Sequence, residues 1–217
     1  MPHTTALVFD LDGTLIDSLP AISGSVNAML ADMGSSTLPV SQIRGFIGKG
    51  APNLVKQSIV AAGLPEDDFD TALSTMMRHY EAAHDGNIPF DHMFDTLREL
   101  RAAGYALGIC TNKPGAATKS VLDHLGMTDL FDVVISGDSL PQRKPHPAPL
   151  HATLDAMGRA NRIYIGDSEV DAETAEAAGV PFVLFTEGYR KTAVSDLTHA
   201  ATFDDFRALP EIIGSLQ

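Results

Sequence analysis

One cysteine, a shortage of positive charge and no long apolar run set the first limits on this 217-residue chain. A single thiol, Cys110, forms no intramolecular disulfide, which excludes a cross-linked secreted scaffold and suits a reducing compartment. It lies in the apolar run YALGIC, the setting of a small buried hydrophobe, not of a nucleophile. Lys and Arg number 15 against 28 Asp and Glu, a net charge of −13. A surface that tracks a nucleic-acid backbone needs the opposite balance, although a local pocket in an acidic protein can still be positive for a small anion. No stretch reaches the roughly 18 consecutive apolar residues that span a bilayer. Asp10 and Asp12 interrupt the first apolar run too early for a secretory leader. The expectation is a cytoplasmic protein with neither membrane nor nucleic acid among its partners, as a monomer or a homodimer. Among the eight histidines, His79 and His84 stand five apart and His92 falls in another segment, so none pairs as a helical metal ligand.

What the chain does contain is five short apolar runs rich in β-branched or aromatic residues: ALVFD (6–10), YALGIC (105–110), FDVVIS (131–136), RIYIG (162–166) and PFVLF (181–185). They are nearly continuously apolar, as strands covered on both faces of a parallel sheet are. Helical periodicity separates the later ones: Val121, Leu122 and Leu125, then Leu150, Leu154 and Met157, then Ser168 to Ala178, with Ser168 as N-cap and Gly179 as stop. Such alternation predicts an α/β fold with a doubly wound parallel sheet. The first two strands are instead separated by about ninety residues without a strand-like run. One helical face there carries Leu19, Ile22, Val26, Met29, Leu30 and Met33; Ser41 opens a short helix, Asn53 to Ala62 forms another, and Phe69, Leu73, Met76, Met77 and Tyr80 mark a fourth. The expected organisation is an α/β core from residues 1–16 and 90–217, with an all-α domain, 17–89, inserted after the first strand.

Ligands of an open parallel sheet bind beyond the C-terminal ends of its strands. Polar residues gather there: Asp10-Leu11-Asp12-Gly13-Thr14 after the first strand, Thr111-Asn112-Lys113 after the second, Arg143-Lys144-Pro145 in the loop past the third, and Gly166-Asp167-Ser168 with Asp171 after the fourth. Each alone could be a turn or a helix cap. Their arrival in order at one sheet edge points to a site.

This order of DLDGT, TN, KP and GDSEVD resembles the haloacid dehalogenase superfamily of phosphatases, along the whole chain. The resemblance implies a Rossmann-like core, a helical cap made by the insertion, and Mg²⁺-dependent phosphomonoester hydrolysis through an aspartyl-phosphate. Asp10 would be the nucleophile. Asp10, the backbone carbonyl of Asp12, and Asp167 would hold Mg²⁺, with Asp171 a ligand through water or an orienting group. Asp12 would protonate the leaving oxygen and later deprotonate water. Lys144 would neutralise charge, and Thr111, the N–H of Asn112 and the turn at Gly13 would bind phosphoryl oxygens. Lys113 and Arg143 read as solvated neighbours.

The segments RGFIGKGAPNL (44–54), RKPHPAPL (143–150), GDSEVDAETAEAAGVPF (166–182) and TEGYRK (186–191) resemble bacterial phosphoglycolate phosphatases. That implies 2-phosphoglycolate as the small phosphorylated metabolite, with Arg44 and Lys49 of the cap meeting its carboxylate. Related caps serve sugar phosphates, nucleotides and pyrophosphate. A phosphomutase is disfavoured, because IDSLPAISGS after the first motif lacks the His or Lys that such enzymes tend to carry there.

Overall fold

The computed structural model describes residues 5–217. β1 (Thr5–Phe9) is followed by β2 (Ile16–Asp17) and four helices, α1 (Leu19–Asp32), α2 (Val40–Arg44), α3 (Ala51–Ala61) and α4 (Phe69–Ala82), before the chain returns through β3 (Ile88–Pro89). Then come α5 (Met93–Ala102), β4 (Ala106–Cys110), α6 (Gly115–His124), β5 (Val133–Ile135), α7 (Ala148–Met157), β6 (Asn161–Gly166), α8 (Glu169–Ala178), β7 (Phe182–Phe185), β8 (Ala201–Phe203) and α9 (Leu209–Ser215).

Among the described residues the main sheet has the order β5-β4-β1-β6-β7-β8, and each neighbouring pair is parallel. Strand alternation divides its side chains between two cores. Leu7, Phe9, Leu107, Ile109, Ile163 and Ile165 face Leu97 and Leu100 of α5, Val121 and Leu122 of α6, and Leu209 and Ile213 of α9. Ala6, Val8, Cys110, Tyr164 and Leu184 face Leu150 and Leu154 of α7 and Ala172 and Ala175 of α8. Cys110 is fully buried, and burial pushes its thiol up to about 12, so it packs as a hydrophobe. The chain leaves β1 toward β4 on one side and later returns to β6 on the other. The crevice at β1 is therefore the topological switch point, where ligands bind.

α1 to α4 have a core of their own, in which Ile22, Val26, Met29, Leu30, Ile43, Val55, Ile59, Ala72 and Met76 pack together; Ala117 of α6 also joins this cluster. α3 starts at Ala51, ahead of the expected Asn53, because Pro52 fits a first helical turn whose N–H groups lack partners. α2 starts at Val40, with Pro39 at its N-cap, and not at Ser41.

Some elements differ from the sequence reading. The ninety-residue interval is not free of strands: β2 and β3 pair antiparallel, Ile16 with Pro89 and Asp17 with Ile88, at the two ends of the helical segment. Two residues are too few for a periodicity signal. β8, three residues at the sheet edge, adds a sixth strand, and α5 and α9 add helices that no expectation covered. The FDVVIS run pairs only over Val133–Ile135.

Candidate active site

β1 delivers Asp10 to the switch point, where its N–H bonds Ile165 O at 2.9 Å. The chain then turns sharply, Gly13 N–H donating to Ile16 O at 2.8 Å and Leu15 N–H to Leu11 O at 3.0 Å. Gly13 takes φ +87°, and a Cβ there would lie 2.7 Å from Asp167 Oδ2, so both conformation and space require glycine. Thr14 Oγ1 donates to Asp167 Oδ1 at 2.9 Å, which ties the first motif to the end of β6.

α8 begins with the expected cap. Ser168 Oγ accepts from Asp171 N–H, and Asp171 Oδ2 accepts from Ser168 N–H at 3.2 Å, a reciprocal capping box. The same Asp171 receives Ser168 Oγ at 2.6 Å on Oδ2, and Tyr164 Oη at 2.6 Å and Lys144 Nζ at 2.7 Å on Oδ1. Lys144 also lies 2.9 Å from Asp10 Oδ1, an ion pair without hydrogen-bond geometry, and donates to Tyr164 Oη at 2.9 Å. Asp10, Asp167 and Asp171 offer carboxylate oxygens all within 4.8 Å of one another, and all three are buried.

Charge is unbalanced here: three clustered carboxylates face one buried ammonium. Burial raises Asp10 to about 7, with the Asp171 and Asp12 charges adding and Lys144 opposing. Burial and the charges of Asp171 and Asp10 likewise hold Asp167 well above the carboxylate range, partly offset by Tyr189 N–H and Thr14. Burial alone would discharge Lys144, but Asp10 and Asp171 outweigh it and keep the ammonium charged. Asp171 moves the other way: its burial is outweighed by Lys144 and by its hydrogen bonds, so it stays an anion. Asp10 and Asp167 thus sit where positive charge is short, and Asp10 Oδ1 accepts no hydrogen bond. A hard divalent cation with oxygen ligands fits that deficit.

β4 brings Thr111, Asn112 and Lys113 to the same edge, all buried. Asn112 Nδ2 donates to Lys144 O at 2.9 Å and to Gly48 O of the helical segment at 3.0 Å, while its Oδ1 accepts from Lys144 N–H at 3.0 Å. Lys113 is buried, and not the solvated neighbour expected from its place after a strand. Its side chain is 1% exposed, pairs with Asp12 Oδ1 at 2.9 Å, donates to Tyr80 Oη and lies 4.2 Å from the Tyr80 ring centroid. Arg143 is exposed, its Nε reaching Gly137 O at 2.5 Å.

A cavity of about 50 Å³ remains between the sheet edge and the helices, lined by Asp10, Asp12, Thr111, Asn112 and Lys113 on one side and by Ile22, Ile47, Gly48, Leu54 and Tyr80 on the other. Neither Arg44 nor Lys49 is in that lining. Arg44 Nη2 instead donates to Gly188 O at 2.6 Å with its guanidinium over the Tyr189 ring, and Lys49 is exposed.

The loop after β7 supplies contacts that motif reading did not assign. A Cβ at Gly188 would lie 2.3 Å from Asp167 Oδ2 and Cβ, so only glycine lets this loop pass. Tyr189 N–H donates to Asp167 Oδ2 at 2.6 Å. Its hydroxyl accepts from Ser18 N–H at 2.7 Å and Leu19 N–H at 2.9 Å, and donates to Asp17 Oδ1 at 2.6 Å. Ser18 gives α1 no side-chain cap, so the phenol serves the first turn of that helix. Tyr189→Phe is expected to destabilise the protein by about 1–3 kcal/mol, because Ser18 N–H loses its acceptor and Asp17 Oδ1 a donor, while Leu19 N–H keeps Asp17 Oδ1 at 3.0 Å. Urea unfolding should show a lowered midpoint at unchanged slope.

Comparison with known proteins identifies the family. Residues 7–185 match the family model described as haloacid dehalogenase-like hydrolase. A phosphoglycolate phosphatase of Rhodobacter capsulatus is 47% identical over 210 residues, covering 96% of each chain, and one of Cereibacter sphaeroides is 45% identical over 213 residues, covering 97% of this chain and 98% of that one. A crystal structure from Haemophilus somnus, described as a predicted phosphoglycolate phosphatase, superposes with TM-score 0.90 at 31% identity, covering 96% of this chain and 97% of that one. With its four motifs gathered at the switch point of a parallel sheet and closed over by a helical cap, the chain belongs to the haloacid dehalogenase-like hydrolase family.

Proposed function

We propose that this protein is a Mg²⁺-dependent phosphomonoester hydrolase whose substrate is 2-phosphoglycolate. The observation that carries the reading is Asp10, buried at the switch point with Lys144 2.9 Å away and Asp12 two residues on, lining a cavity that the cap helices close. The substrate follows from the relatives named phosphoglycolate phosphatase at 45–47% identity over nearly the whole chain. The cap is residues 17–89, joined to the core through the β2–β3 pair.

Asp10 attacks phosphorus, forming an Oδ–P bond as the bond from phosphorus to the glycolate oxygen breaks. Asp12 gives its proton to that oxygen, and glycolate leaves. A water then attacks the phosphoryl group, losing its proton to the Asp12 carboxylate, and phosphate departs as Asp10 is restored. Lys144 offsets charge beside Asp10, while the Thr111 hydroxyl, the Asn112 N–H and the turn at Gly13 hold phosphoryl oxygens. Asp10, Asp167 and the Asp12 carbonyl would hold Mg²⁺. Asp171 orients the site without binding metal directly, since each of its oxygens already accepts two or more hydrogen bonds, against one on each oxygen of Asp167. When bound, Mg²⁺ supplies charge that lets an anionic nucleophile approach an anionic phosphate. The single buried thiol suits a cytoplasmic setting.

The test is release of inorganic phosphate from a panel of phosphomonoesters, with Mg²⁺ and with EDTA. Chelation is expected to abolish turnover, and 2-phosphoglycolate should exceed sugar phosphates, nucleotides and pyrophosphate in kcat/KM by about tenfold or more. If it ranks far behind them, the substrate assignment is wrong while hydrolysis by Asp10 stands.

A further inference from the structure

A leaving group that carries its own carboxylate needs a cation inside the closed cavity. The cap face of that cavity supplies none: Ile22, Ile47, Gly48, Leu54 and Tyr80 present no charge, and Arg44 is held outside by Gly188 and Tyr189. Among the described residues, the one cation in the lining is Lys113.

Resting on the reading of 2-phosphoglycolate as substrate, we propose that Lys113, steadied by Tyr80 from the cap, takes the substrate carboxylate and sets selectivity for a charged leaving group. Its position is right for this. Nζ is 2.9 Å from Asp12 Oδ1, and Asp12 must reach the oxygen that bridges phosphorus and carbon. In 2-phosphoglycolate the carboxylate carbon is only two bonds from that oxygen, so the cation beside Asp12 is the cation beside the carboxylate. An ammonium has three N–H bonds; Asp12 and Tyr80 take two, which leaves one for a substrate oxygen.

Tyr80 suits the supporting role. Burial and the Asp12 charge hold its phenol well above its ordinary range, so it remains a neutral hydrogen-bond partner. Its hydroxyl lies a long 3.5 Å from Asp12 Oδ2 and its ring lies under the lysine. Because Tyr80 belongs to α4 and Lys113 follows β4, the pocket for the carboxylate is complete only with the cap against the core. Selectivity and closure are then one event.

The test compares kcat/KM for 2-phosphoglycolate with that for ethyl phosphate, of similar size but without the carboxylate, within each variant. In Lys113→Met the ratio should fall roughly 10- to 100-fold, mainly through KM for 2-phosphoglycolate, as expected for a lost charge-assisted hydrogen bond. Tyr80→Phe keeps the ring and should lower the ratio by about 3- to 10-fold, which decides the matter should Lys113→Met fail to fold. A wild-type preference for 2-phosphoglycolate that survives both substitutions overturns the role of Lys113 and leaves the substrate standing. A wild-type enzyme without that preference overturns both.

Discussion

Asp10→Asn should abolish phosphate release, by at least about 10³-fold, while leaving the metal-free protein as stable as before or more so. The two halves have one cause. A carboxamide cannot form the acyl-phosphate bond, so the reaction loses its nucleophile and not merely a binding contact. The carboxylate it replaces is held in the fold at a cost: burial and the charges of Asp171 and Asp12 raise Asp10 from 3.8 to about 7 despite Lys144. A group whose folded pKa lies above its unfolded one stabilises while protonated and loses that contribution as pH rises, here between about 4 and 7. At pH 8 without Mg²⁺ the ionised Asp10 is therefore a net liability, and a neutral isostere removes it. Thermal unfolding in EDTA at pH 8, beside the phosphate assay, checks both halves. Dephosphorylation by the variant at the parental rate would sink the nucleophile assignment. A large loss of stability would mean that the Lys144 ion pair outweighs the burial cost.

Much of this site was legible in sequence because each motif lies where a buried strand must end. Leu7, Val8 and Phe9 can only be covered, so Asp10 can only emerge at the sheet edge, and the same logic fixes Thr111 and Asp167. The Ser168 cap and the Gly179 stop are local chemistry and read directly. Lys113 did not read, because a lysine after a strand is ordinarily solvated. Its burial comes from Tyr80, whose helix packs onto the core from far along the chain. Tyr80 itself looked like the last member of an apolar stripe: periodicity identifies its buried face but says nothing of what its hydroxyl meets. Arg44 lies outside the cavity lining for the converse reason. A basic residue near a glycine-rich loop suggests an anion, yet its partners are a carbonyl and a ring on the loop after β7. Side chains that join cap to core depend on docking, and docking leaves no local signal.

Lys144→Met should be the most destabilising change in the active site, by about 3–5 kcal/mol at pH 8 in EDTA, with activity lost as well. Methionine fills nearly the same space, so packing is not the issue. Lys144 Nζ lies 2.9 Å from Asp10 and 2.7 Å from Asp171, and its side chain is 2% exposed. Removing it leaves Asp10, Asp167 and Asp171 mutually repelling with no buried cation between them. Two consequences separate this from simple loss of a contact. Without the ammonium the carboxylates bind protons more tightly in the folded state than in the unfolded one, so the variant should recover stability as pH falls from 8 toward 5. Mg²⁺ should also stabilise the variant by more than it stabilises the parent, because it would supply positive charge to the same cluster of buried carboxylates. Unfolding midpoints over that pH range, with and without Mg²⁺, measure both. A deficit that is the same at pH 5 and pH 8, and unmoved by Mg²⁺, would show that Lys144 contributes packing and hydrogen bonds to Tyr164 in place of charge balance. The proposed division of labour, in which one lysine balances the buried carboxylates and Lys113 faces the substrate, requires the pH-dependent result.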